Sequence, residues 1–226
     1  MKTQFKIVLG ITALFLIVSG FLVVAVPQYR TVGAIYFLLG LFAWNVYNKK
    51  QYQDSLPGVR GKTLLKSLLV GFAVAIGFYA INKVVPMFAL GYPEAMFTVS
   101  EDIRFFVIVI LAPVMETVVF DCAILALFRD NDLFYFHDLK ANLAKSGIFA
   151  SYHTLAYGIV LGLIAKWSDV FSAYYAVAGL FVSAFIVSMI FGYIIMKKEL
   201  NNPAGIVLAH GIINFILISF SIVYMG

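Results

Sequence analysis

The chain has 226 residues, of which 63% are AVILMFWYC and only 12% are Asp, Glu, Lys or Arg, about half the charged share of an ordinary soluble domain. Too few polar groups exist to cover the outside of a water-soluble fold of this size, so a polytopic helical membrane protein is expected instead. The net charge of +5 suits loops facing an anionic leaflet and does not argue for nucleic acid. The single Cys122 excludes an internal disulfide framework and a multi-cysteine metal knuckle.

In chain order, apolar stretches run over about 5–26, 31–47, 64–82, 104–128, 144–165, 171–196 and 203–224. Most reach the roughly 20 residues that a helix needs to cross the hydrocarbon core. They are too long and too continuously apolar for the alternating strands of a barrel. The first begins with Lys2 and Lys6 in the manner of a secretory signal, but its apolar part is too long and it is followed by Pro27 rather than a small-residue cleavage site. It therefore reads as a span. The expected fold is all-α, a transmembrane bundle of about seven spans forming a single integral membrane domain over 1–226, with no internal repeat. Of the 16 basic residues, 12 fall on one side of this drawing when Lys145 is counted with the loop that starts at Arg129. The positive-inside rule then puts the amino terminus in the cytoplasm and the carboxyl terminus outside.

With so few polar residues, those inside a span are informative, because a charged group at mid-membrane costs about 2.5–3.5 kcal/mol on insertion scales. The fourth stretch carries Glu116 near its midpoint and Asp121 beyond it. The fifth contains Phe149-Ala-Ser-Tyr-His153 and the seventh His210-Gly-Ile-Ile-Asn214. At 1.5 Å per residue, His210 lies roughly 10 Å, His153 roughly 14 Å and Glu116 up to roughly 18 Å from the cytoplasmic ends of their spans. Three helices running in different directions thus bring their ionisable groups to one level. Phe149 and His153 are four apart, as are His210 and Asn214, so each pair shares a helix face. Singly, a His or Asn at this depth commonly makes an interhelical hydrogen bond. Asp121 is expected to serve as a partner for Thr117, four residues before it, or for a basic side chain from another span. Asn45 reads as interfacial, His137 as solvated and Cys122 as an apolar packer.

A Glu, two His and an Asn around one hydrated notch suit hydrolysis without a side-chain nucleophile. The carboxylate takes a proton from water, one imidazole shares in positioning that water, and an amide with the second imidazole steadies the oxyanion. Ser151 is two residues from His153 and points elsewhere, so a serine mechanism is poorly supported.

These motifs resemble those of the CPBP family of intramembrane endopeptidases, which includes the type II CAAX prenyl proteases and the bacterial Abi and bacteriocin-processing proteins. The family pattern is Glu-Glu-x-x-x-Arg, then Phe-x-x-x-His, then His-x-x-x-Asn. The second and third are intact here, as Phe149 to His153 and His210 to Asn214. The first is partial, with Thr117 in place of the second Glu and Asp121 in place of the Arg. The resemblance implies a catalytic core over about 104–224, with Glu116 as base, His153 as its partner in holding the water, and His210 with Asn214 as the oxyanion site. Thr117, Asp121 and Phe149 would support them. It implies a site open to the cytoplasm and the lateral membrane, and a peptide or lipidated-protein substrate in the bilayer. No cofactor is expected.

Three other readings stand beside this one. The altered first motif motivates a catalytically degenerate member that acts as an immunity or scaffold protein. A metal-dependent hydrolase would use Glu116, His153 and His210 as ligands to Zn²⁺ or iron, although no His-Glu-x-x-His is present and no base would remain. A proton-coupled transporter could use the same groups as a relay, but paired broken helices and inverted repeats are lacking.

Overall fold

A computed structural model describes residues 3–26, 30–52, 56–84, 105–130, 137–164 and 170–223. Among these residues the structure is all helical: α1 (Thr3–Ala25), α2 (Arg30–Asn48), α3 (Gly61–Val84), α4 (residues 106–130), α5 (Asp138–Ile164), α6 (Val170–Met196) and α7 (Pro203–Val223). Three described segments are long and apolar enough to cross a membrane: Lys6–Ala25 of α1, Gly61–Ile81 of α3 and Phe106–Arg129 of α4. Apolar helical stretches at Val32–Asn48, Phe181–Met196 and Pro203–Ile216 are shorter. Of the basic residues counted for orientation, Lys2, Arg104 and Lys166 lie outside the described residues.

The helices pair as α1 with α2, α3 with α7 and α5 with α6, and α4 contacts α2, α5, α6 and α7. Burial follows that arrangement. In the spanning segment of α4, 78% of the most apolar window is buried, against 28% in α1 and 17% in α3, so α4 is the axis of the bundle. Leu14, Ile17, Phe21 and Val24 of α1, with Leu65, Leu69 and Phe72 of α3, are exposed, as suits side chains that meet acyl chains rather than water. On α1 the Thr12 and Ser19 hydroxyls are satisfied within the helix, Thr12 donating to the Val8 carbonyl and Ser19 to that of Phe15, both at 2.8 Å, which removes the need for water at that depth.

One close approach sets the seat of α7. A Cβ at Gly71 would run into the Gly205 carbonyl, and one at Gly205 into the backbone of Ser67. The Ser67 hydroxyl donates to the Asn202 carbonyl at 2.7 Å in the same crossing. Small residues let the two backbones touch, and α7 is thereby pinned against α3 one to two turns before His210.

Candidate active site

The site begins with the backbone of α4, which is not a regular α-helix. Segments Phe106–Leu111 and Thr117–Ile124 are π-helical, flanking the α-helical turn Ala112–Glu116. In the first, the Ala112 N–H bonds to the Val107 carbonyl, five residues back. Continuing that pattern, the Ile108 carbonyl would need an N–H from residue 113, which is proline and has none. Asn214 of α7 supplies the missing donor, its Nδ2 lying 2.9 Å from the Ile108 oxygen. A proline in α4 thus frees a carbonyl that orients the Asn214 amide, leaving that amide its second N–H.

The second π segment starts directly after Glu116. At 3.6 residues per turn, positions five apart stand about 140° apart around an α-helix. Hydrogen bonding from i to i+5 brings them nearly into line. The Leu125 N–H reaching the Phe120 carbonyl shows the widened register. Glu116 and Asp121 consequently both turn inward, and every residue from Met115 to Ala126 is buried.

Glu116, His153, His210 and Asn214 are 5%, 9%, 6% and 5% exposed, and the first three meet at one atom. Glu116 Oε2 lies 3.3 Å from His210 Nε2 and 3.6 Å from His153 Nε2, without direct hydrogen-bond geometry to either. His153 Nδ1 is 2.9 Å from the Phe149 carbonyl. A carbonyl only accepts, so this nitrogen carries the proton, and Nε2 is the ring nitrogen that faces Glu116. Phe149 serves the site twice, since its ring also packs 4.2 Å from His153 and 6.1 Å from His210, centroid to centroid. Phe191 of α6 closes the other side of His210 at 5.6 Å.

The remaining sequence expectations divide. Ser151 and Asn45 are exposed and Cys122 is fully buried, in line with a hydroxyl on another face, an interfacial amide and an apolar packer. Asp121 does not pair with Thr117, whose buried hydroxyl has no hydrogen-bond partner among the described residues. Its partner is Lys145 of α5, at 2.7 Å. Lys145 itself corrects the sequence reading: counted there among loop cations, it is wholly buried, because a carboxylate on α4 draws it inward. Pro113 and Lys145, with Phe191, are thus contributors to the site's architecture that sequence reasoning missed. The signals available were a proline three residues before Glu116 and a lysine four residues before Phe149 and eight before His153.

Glu116, His153 and His210 supply donor types that zinc accepts. Among the described residues, however, no group of three or more His, Cys, Asp or Glu side chains is arranged to hold an ion. An open groove of about 330 Å³ between α4 and α7 is lined by apolar residues, Val109, Val114, Leu208 and Phe215 among them. It offers no group for chemistry.

Residues 98–216 match the family described as type II CAAX prenyl endopeptidase Rce1-like. The chain belongs to this family. The match takes in just over half of the chain and includes Glu116, His153, His210 and Asn214 together with Pro113 and Lys145. No curated protein and no solved structure matches it. Membership and the apolar helices together make the chain an integral membrane protein of the CAAX-type intramembrane endopeptidase family, whose chemistry is proteolysis of a peptide or protein substrate in a membrane.

Proposed function

We propose that the protein hydrolyses a peptide bond near the cytoplasmic membrane face, with Glu116 as general base and His153 as its partner. The observation that carries this reading is the approach of the Glu116 carboxylate to the His153 ring nitrogen that does not face Phe149. Glu116 Oε2 and His153 Nε2 lie 3.6 Å apart, with Nδ1 already committed to Phe149, so in the neutral ring both present proton acceptors. A water molecule donating one hydrogen to each would keep an oxygen lone pair for attack on a carbonyl carbon. As the new C–O bond forms, the proton passes to Glu116 and the carbonyl electrons move to oxygen. His210 and the second N–H of Asn214 are the donors proposed for that oxyanion. Collapse breaks the C–N bond, and Glu116 returns its proton to the leaving amine. A base contributes about 10²–10⁴ in rate and a single oxyanion donor about 10²–10³.

The proposed topology has about seven spans, with the amino terminus in the cytoplasm and the carboxyl terminus outside, so that the site faces lipidated or peptide substrates at the inner leaflet. The test is cleavage of a quenched peptide by the purified full chain in lipid nanodiscs, with Glu116→Gln as control. A loss of at least a hundredfold is expected, and activity that survives the change removes Glu116 as the base. A second reading, a member of the family that has lost its chemistry, draws on the buried Thr117 where the family motif has a carboxylate. It requires that Glu116→Gln and His153→Gln leave cellular function intact.

A further inference from the structure

Lys145 is fully buried, although a lysine near the end of a spanning helix ordinarily extends its stem toward water. Its ammonium instead donates to Asp121 Oδ1 at 2.7 Å, to the Ser188 carbonyl at 2.6 Å and to Ser188 Oγ at 2.9 Å. An ammonium has three donors, and all three are used. Three residues earlier on α5, Asn142 Nδ2 donates to the Met189 carbonyl of α6 at 2.9 Å. Gly192 of α6 makes room for both: a Cβ there would run into the Asn142 amide and come within 2.9 Å of Lys145 Nζ. The node is therefore built into three helices, and every donor of its ammonium is used.

Its place relative to the site gives it a role. Lys145, Phe149 and His153 recur every four residues along α5, on one broad face. Opposite them on antiparallel α4 stand Asp121, Phe120 and Glu116. The contacts form a ladder: Lys145 with Asp121, the rings of Phe149 and Phe120 at 5.1 Å and 88°, and His153 with Glu116 at 3.6 Å. The stretch of α4 between the two charged rungs is the π segment, an irregular register that persists where surrounding structure holds it. We infer that Lys145 is a positioning residue for hydrolysis, its clamp on Asp121 and Ser188 setting the rotation of α4 that keeps Glu116 opposite His153. This rests on Glu116 and His153 being the water-activating pair.

The test uses the full chain in nanodiscs with ¹⁵N-labelled histidine, resonances being assigned by single His→Gln replacements, alongside peptide cleavage. Lys145→Met is expected to lower kcat at least tenfold with KM within twofold, and to move the ring-nitrogen shifts of His153 while those of His137 stay put. Lys145→Arg is expected to recover at least half of the lost kcat. Lys145→Met strands a buried carboxylate, so Asp121→Asn/Lys145→Met, which removes both charges, carries the same expectation should the single variant fail to fold. A folded variant of either kind with unchanged His153 shifts and kcat within twofold of wild type overturns the clamp. Failure of the underlying peptidase reading looks different: Glu116→Gln would cleave like wild type, while the His153 shifts would still report on Lys145.

Discussion

Replacing Pro113 by Ala separates stability from activity in a way few changes at this site would. The new N–H at residue 113 points at the Ile108 carbonyl in the five-residue register, where it competes with Asn214 Nδ2, now 2.9 Å away. A backbone hydrogen bond gained adds about 0.5–1.5 kcal/mol, and a buried amide left without its partner costs about 1–3 kcal/mol. The two nearly offset, so the unfolding free energy is expected to stay within about 2 kcal/mol of wild type. Activity has no such offset. A full oxyanion donor is worth about 2.7–4 kcal/mol, and an Asn214 amide free to rotate forfeits about half of that, or roughly tenfold in kcat at 1.4 kcal/mol per decade. The measurement is thermal unfolding in detergent beside kcat and KM for a quenched peptide in nanodiscs. Near-native stability with kcat within twofold of wild type would refute the idea that the proline-freed carbonyl orients Asn214.

Other consequences are simpler. His210→Ala and Asn214→Ala should each lower kcat by about 10²–10³ with little change in KM, and the double variant should lose less than the product, since both are proposed to act on one developing charge; strictly multiplicative losses in kcat would separate them. Gly205→Ala should destabilise by at least the 1–3 kcal/mol typical of overpacking, because its Cβ meets the Ser67 backbone, which cannot swing aside, as well as its hydroxyl, and unfolding midpoints in detergent report it. Dialysis against a strong chelator should leave peptide cleavage unchanged, with elemental analysis showing well under one zinc per chain, since Glu116 is assigned as a base rather than a ligand. Chelator-sensitive cleavage restored by Zn²⁺ would reassign it.

Hydropathy and the scarcity of polar residues were enough, from the amino-acid sequence alone, to establish an all-helical membrane protein and to single out Glu116, His153, His210 and Asn214. Burying an ionisable side chain in a span is costly, so these few stand out against an apolar background wherever the helices go. Four-residue spacings likewise placed Phe149 with His153 and His210 with Asn214, since regular helix geometry is local. What the tertiary structure alone decided depends on partners from other helices or on a register that no local spacing encodes. At 100° per residue, Asp121 belongs on a different face from Glu116, and only the π register of Thr117–Ile124 turns both inward. Lys145 at the edge of an apolar run reads as a loop cation until Asp121 and Ser188 supply the acceptors that hold it inside. Pro113 is a mid-span proline like many others until the carbonyl it leaves unpaired is met by Asn214 from a helix about a hundred residues away. Chemical identity is carried along the chain, whereas a hydrogen bond between helices exists only once packing has chosen which faces meet.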